Sequence, residues 1–293
     1  MKAIIPAAGL GIRFLPMTKV QPKEMLPVVD KPTIQYVVEE AIAAGITDII
    51  IVTGAGKRAI EDHFDKSPEL ESVLERQGKT KELKEIRRIA NMVDIHYIRQ
   101  KVPRGLGDAI HCARNHIGME PFAVMLGDTI NISKVPVVKQ LMNAHEEVGA
   151  SVLAVEPVAK EKISDYGIID GKLVKERLYL IDDLVEKPRA EDAPSNVGIT
   201  GTYVLTPGIF DCIEETPPGT KGEVQLTDAL RILRKKEKIY GYWFEGTRYD
   251  IGDKLGWMKT NFELTLSHPE FSGPMREFMR EALEKSMKKT GKK

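Results

Sequence analysis

The run ITDIIIVTG at residues 46–54 constrains the fold more than any other stretch of this chain. Its central apolar side chains do not alternate with polar ones, the pattern of a strand covered on both faces. Such strands belong to sheets with helices packed on each side, so helical sequence should flank this one. KAII (2–5) reads as a short buried strand, and a helix is predicted from about Thr33 to Ala44, closed by Gly45. Helix-like KRAIEDHF follows the 46–54 strand, charged helical sequence runs from Pro68 to about Met92, and DIHYIR reads as a strand. A helix at 106–117, the strand FAVMLG at 122–127 and a helix at about 135–148 continue the rhythm. This alternation predicts an α/β, doubly wound, mainly parallel sheet.

After Gly149 the rhythm changes. ASVLAVEPV, YGIID, GKLV, YLIDDLVEKP and VGITGTYVLT are short strand-like pieces between turn residues, which predicts a β-rich extension. Helical sequence returns at 224–236, IYGYWFEG and TRYDIG read as strands, and a helical tail begins near Lys254. The expected division is therefore 1–149 as an α/β core, 150–251 as a second part of the same domain, and 252–293 as a C-terminal tail.

The first strand opens into AAGLGIRFLPMTKVQPKEMLPVVD (7–30), a long connection rich in glycine, proline and lysine. Gly9 and Gly11 allow backbone to approach an anion, while Arg13, Lys19 and Lys23 supply positive charge. Pro16, Pro22 and Pro27 restrict the chain, so the loop should be long without being slack. Residues 10–31 hold four basic side chains (Arg13, Lys19, Lys23, Lys31) against two acidic ones (Glu24, Asp30). The whole chain balances Lys and Arg against Asp and Glu at 43 each, so no global field draws it to nucleic acid or to an anionic membrane. Any anion must be caught locally. A Walker A loop would need Gly-x-x-x-x-Gly-Lys followed by Ser or Thr, a pattern missing from the chain, since Gly78-Lys79-Thr80 has Val73 in place of the first glycine. A dinucleotide fold would put an acid after the second strand, where this chain has Thr53-Gly54-Ala55-Gly56. A polyphosphate cradle and a loop that merely turns the chain both remain open from the residues alone.

Cys112 and Cys212 match no metal or redox spacing and read as buried free thiols, consistent with a reducing cytoplasm. The six histidines show no zinc-ligand spacing. The amino terminus is too short and broken for a signal peptide, and no apolar run suggests a membrane span.

GLGIRFLPMTKVQPKEMLPVVDKPTIQYVVEE closely resembles the signature of the sugar nucleotidyltransferases, in their prokaryotic UTP:glucose-1-phosphate uridylyltransferase (UDP-glucose pyrophosphorylase) branch. RQKVPRGLGDAI, VMLGDTI, DYGIID, LVEKPRAEDAPSN, GEVQLTDAL and YDIGDKLGWMKTNFE follow in the family's order, covering most of residues 1–266. Thymidylyltransferases usually carry KQLLP where this chain has KEMLP, so the uridylyl branch fits better. The resemblance implies a Rossmann-like, GT-A-like nucleotidyltransferase fold with a sugar-binding extension. It also implies an enzyme that makes UDP-glucose and pyrophosphate from UTP and glucose 1-phosphate.

By the same resemblance, Arg13 and Lys23 are catalytic, Arg13 holding the β and γ phosphates and Lys23 reaching the reacting ones. Ala7, Ala8, Gly9, Gly11, Gln100 and Gly105 would form the nucleotide cleft, with the Gln100 amide meeting uracil's N3 hydrogen and a neighbouring carbonyl. Gly167, Glu186, Lys187 and Thr227 would bind the sugar phosphate. Asp128 reads by position as a turn residue, a helix cap or a metal ligand, and the family pairs it with Asp250 around one Mg²⁺. Family members commonly form dimers or tetramers, for which the helical tail is a candidate interface. It could equally pack on its own core. Ile12 stands where the family commonly has Thr, which removes a hydroxyl near the cradle.

Three other readings stand beside it, two of them from different classes. A glycosyltransferase that consumes a nucleotide sugar would carry Asp-X-Asp, which Asp128-Thr129-Ile130 lacks. A non-catalytic sugar-nucleotide sensor, or a glucose-1-phosphate thymidylyltransferase, is the further alternative.

Overall fold

The computed structural model describes residues 1–219 and 222–290. Among the described residues there are thirteen strands: β1 (Lys2–Ala7), β2 (Pro27–Val28), β3 (Lys31–Pro32), β4 (Asp48–Thr53), β5 (Asp94–Arg99), β6 (Phe122–Met125), β7 (Thr129–Ile132), β8 (Ser151–Pro157), β9 (Gly167–Lys175), β10 (Leu178–Glu186), β11 (Val197–Leu205), β12 (Ile239–Trp243) and β13 (Thr247–Asp250). Nine of them form one sheet in the order β5-β4-β1-β6-β11-β8-β12-β10-β9, with an added β11–β9 contact. Two-stranded ribbons, β13-β7 and β2-β3, stand apart from it.

The apolar run that opened the sequence reading is β4, and both of its faces are covered. Ile50 and Val52 join Ile4 in one core cluster, with Ala109, Ile110 and residues of the helices Gly208–Glu215 and Leu226–Lys236. Ile49 and Ile51 join Ala3 and Ile5 in another, beneath the helices Thr33–Ala43 and Val137–Val148. Period-2 alternation divides one strand between two cores, which is why no polar residue can take alternate positions there. The helix after β3 ends as expected: Gly45 takes φ 87°, a conformation that costs a glycine little.

The sheet is mixed, where a mainly parallel one was expected. The first half, β5-β4-β1-β6, is parallel throughout. The second half pairs antiparallel at β6–β11, β11–β8, β12–β10 and β10–β9, with β8–β12 its one parallel neighbour pair. Connection length accounts for the β9–β10 pair alone, because parallel neighbours need a long crossover while a short turn returns the chain antiparallel. Residues 176–177 alone join β9 to β10. The tail folds as the helices Lys254–Ser267 and Ser272–Thr290; residues 291–293 lie outside the described part. Among the described residues, no helix is long and apolar enough to cross a membrane, and Cys112 and Cys212 are free thiols.

Candidate active site

The loop after β1 is held from beneath. It makes three short 3₁₀ turns, Ile12–Phe14, Met17–Lys19 and Lys23–Met25. Phe14, Leu26 and Val28 point inward from it and pack with Ile130 of β7 and with Ile251, just past β13. Gly11 starts the first turn at φ 66°, and a Cβ there would lie 3.1 Å from Thr18 Cγ2, so its glycine serves the turn as well as any ligand. Thr18 Oγ1 donates to the Gly11 carbonyl at 2.7 Å. Ile12 is 68% exposed, so its branched side chain is not buried within the turn.

The same small core is shared by the β7–β13 ribbon, which brings the two sequence-distant aspartates together. Asp250 is opposite Thr129 in the ladder, and Ile251 N–H donates to the Asp128 carbonyl at 3.0 Å. Asp128 Oδ2 accepts from Lys23 Nζ at 2.5 Å. Burial alone would pull the Lys23 ammonium down, but the Asp128 and Glu24 carboxylates raise it, so it stays charged. Asp250 Oδ2 accepts from the Tyr166 hydroxyl at 2.7 Å and lies 3.4 Å from Arg248 Nη1. Arg248 is clamped in turn by Glu156 at 2.6 Å and lies over the Tyr166 ring. Burial, joined by the Asp250 charge, pushes the Tyr166 phenol up to about 12, which keeps it a proton donor.

Two cavities adjoin here. One, about 460 Å³, is lined by Ala8, Gly9, Gly11, Lys23, Gln100 and Gly105. The other, about 480 Å³, is lined by Gly167, Glu186, Thr227 and Asp250. Arg13, Asp128 and Lys187 line both, and so mark their junction. Ala7 is the exception among the expected site residues: it is 1% exposed, belongs to the sheet core and lines neither cavity. Lys19 is exposed and lines neither.

In the first cavity the Gln100 amide is already oriented. Its Nε2 donates to Asp108 Oδ2 at 2.7 Å and to the Gly105 carbonyl at 3.3 Å. Because a carboxylate only accepts, Asp108 determines which end of the amide is which and leaves the Gln100 oxygen as its remaining acceptor. Both hydrogens of the Gln100 amide therefore have partners within the protein. Gly105 has φ 96°, and a Cβ would come within 2.7 Å of the Val224 carbonyl, so only glycine allows the 223–225 segment to close this wall.

In the second cavity Glu186 is held at both oxygens. Thr227 Oγ1 donates to its Oε2 at 2.6 Å, and Lys187 Nζ lies 3.0 Å from its Oε1. A Cβ on Gly167 would lie 2.9 Å from Thr227 Oγ1, so the missing side chain makes room for that bond. Lys187 has φ 45°, a region that costs a branched-free side chain some strain and that re-aims it relative to a regular strand.

Tyr166, Arg248, Glu156 and Asp108 escaped the reading of the sequence. One signal was available: Arg248 stands two residues before Asp250, and strand periodicity puts both on one face. Glu24 also lines the first cavity and is paired with Lys57 at 2.7 Å, both side chains nearly inaccessible, with its Oε1 lacking a protein partner. Among the described residues no cluster of three or more His, Cys, Asp or Glu could hold a metal. Asp128 and Asp250 nonetheless form a hard, all-carboxylate pair beside a basic loop, a donor set that suits a divalent ion completing its shell with water and phosphate oxygens.

A cleft in which a basic glycine loop meets a second polar pocket suits a group-transfer enzyme, and the chain belongs to the nucleotidyl transferase family, whose model matches residues 2–265. It is 54% identical to UTP–glucose-1-phosphate uridylyltransferase of Bacillus subtilis (strain 168), over 97% of this chain and 97% of that one. Among solved structures it is similar to a UDP-glucose pyrophosphorylase complexed with UDP-glucose, with a TM-score of 0.83, 46% identity and coverage of 91% of this chain and 99% of the other. It is also similar to the UTP-bound enzyme from Acinetobacter baumannii, with a TM-score of 0.89, 37% identity and coverage of 96% and 98%.

Proposed function

We propose that the protein joins UTP and α-D-glucose 1-phosphate to give UDP-glucose and pyrophosphate. The observation that carries this reading is the pair of adjoining cavities with Arg13, Asp128 and Lys187 at their junction. The triphosphate would lie along the 7–30 loop and the sugar phosphate against Glu186 and Lys187. One phosphate oxygen of the sugar phosphate forms a bond to the α-phosphorus while the bond to pyrophosphate breaks. Little covalent work falls to the protein: it aligns two anions that repel each other and neutralises charge as it develops. Lys187 would hold the attacking phosphate, and Arg13 and Lys23 the departing pyrophosphate. Glu186, fixed by Thr227, accepts from sugar hydroxyls, and the Gln100 oxygen accepts the N3 hydrogen of uracil. Cytosine presents a lone pair there and would be repelled.

Mg²⁺ is the cofactor that this donor set fits best. Asp128 and Asp250 would hold it, and when bound it supplies further neutralisation of the phosphate oxygens. Residues 1–149 then act as the nucleotide-binding core and 150–251 as the sugar-phosphate part of one catalytic domain. The tail, with Phe262, Phe278 and Leu283 exposed, offers a surface for a homodimer or homotetramer. The two free thiols suit a reducing cytoplasm.

A matrix of nucleoside triphosphates against sugar phosphates tests the reading. Pyrophosphate release is expected with UTP and glucose 1-phosphate in the presence of Mg²⁺. Absence of release with every pair would reject it.

A further inference from the structure

Asp128 and Asp250 already have donors on them, and the two donors differ in kind. Asp250 is braced by groups that cannot leave: the Tyr166 hydroxyl at 2.7 Å, and Arg248, whose side chain is 8% exposed and clamped at 2.6 Å by Glu156. Asp128 is held by the Lys23 ammonium at 2.5 Å. Lys23 sits on the loop that lines the nucleotide cavity, at the end of a flexible four-carbon stem.

Charge counting shows what this means for a divalent ion. Arg248 shares its charge with Glu156 at 2.6 Å and so offsets Asp250, 3.4 Å away, only in part, whereas Lys23 at 2.5 Å offsets Asp128 one for one. A carboxylate so offset attracts a dication poorly, and at short range an ammonium and a dication on one carboxylate oxygen repel strongly. A nucleoside triphosphate reverses the balance. It brings about four negative charges, offers the ammonium new partners and supplies oxygen ligands of the kind that Mg²⁺ commonly adds to one or two carboxylates.

We propose that Lys23 is the resident cation of Asp128 and gives way to a divalent metal only when a triphosphate draws the ammonium off, so that metal and nucleotide enter interdependently. Lys23 then has two successive tasks, first guarding the metal carboxylate and later neutralising phosphate. By linkage, whatever factor the nucleotide adds to metal affinity, the metal adds to nucleotide affinity. The proposal rests on the reading of this site as a triphosphate site with Asp128 as a metal ligand.

Mn²⁺ serves as the probe, with binding followed by loss of the free-ion electron paramagnetic resonance signal and no substrate present. Wild-type protein is expected to bind Mn²⁺ weakly. Lys23→Met should tighten binding by about tenfold or more, and Lys23→Gln, which keeps a polar side chain and guards against a packing defect, should do so in the same direction. Lys23→Arg keeps the charge and should stay within about twofold of wild type. Adding Asp128→Asn to Lys23→Met should abolish the gain. Equal Mn²⁺ affinity in wild type and both neutral variants, or a gain that survives Asp128→Asn, overturns the proposal. The reaction is read separately: pyrophosphate release with no Mn²⁺ difference rejects the exchange but keeps the transferase, whereas an Asp128-dependent Mn²⁺ gain without release keeps the exchange and rejects the transferase.

Discussion

The nucleotide side and the sugar side of the cleft reach the same precision by opposite means. On the nucleotide side, Arg13 and Lys23 sit in short 3₁₀ turns of a long loop, and their order comes from apolar residues under it, chiefly Phe14, Leu26 and Val28. On the sugar side, Glu186 ends a regular strand and is fixed through its own oxygens by Thr227 and Lys187. A loop anchored by burial should fail as a unit when its anchor is lost. A group oriented by hydrogen bonds should fail alone, affecting only the ligand it touches.

The largest effect tests the charges that the loop carries. Lys23→Ala is expected to lower kcat by about 10²- to 10³-fold with a smaller change in the KM for UTP, because the ammonium counts most when charge develops on the departing phosphates. Steady-state kinetics decide it, and an unchanged kcat would remove Lys23 from the catalytic set. Next is the anchor itself. Phe14→Ala should cost about 3 to 5 kcal/mol of stability, seen in denaturant melts, and should raise the KM for UTP while sparing that for the sugar phosphate. If both KM values rose equally, the loop would not be an independent unit.

On the sugar side the change should be narrower. Glu186→Ala is expected to raise the KM for glucose 1-phosphate by about 10- to 100-fold, since the half-buried acceptor proposed for the sugar hydroxyls is lost, with nucleotide affinity nearly constant. Asp108→Asn frees the Gln100 amide to turn over, and should cut the disadvantage of CTP against UTP by about tenfold without altering sugar choice. Competition between UTP and CTP measures this directly. Smallest of all, Ile12→Thr should change kcat/KM for UTP by no more than about threefold, because the Ile12 side chain is largely exposed and the turn is set by Gly11 and Thr18.

The comparison also explains what the sequence could disclose. β1, β4 and the helix after them were legible because period, burial and caps are local properties, and in β4 the absence of polar alternates reports both covering layers. The second half of the sheet was not, since nothing in short strand-like pieces says that β11 will insert between β6 and β8. At the site, glycines and charged motifs could be recognised by resemblance. Their supports could not, because Tyr166, Glu156 and Asp108 act through contacts made by folding, and an isolated tyrosine or acid carries no mark of its partner. Ala7 shows the opposite limit: a motif residue whose side chain serves the sheet rather than the cleft.

The hydrogen bond from Ile251 to the Asp128 carbonyl joins segments from far apart in the chain. A nascent polypeptide can therefore assemble the parallel strands while it is still being synthesised, yet remain chemically silent. Its second carboxylate, Arg248 of the brace and Ile251 of the loop's anchoring core are made together, well after those strands. Non-local contacts of this sort form late, so activity itself is a report that the whole fold has closed.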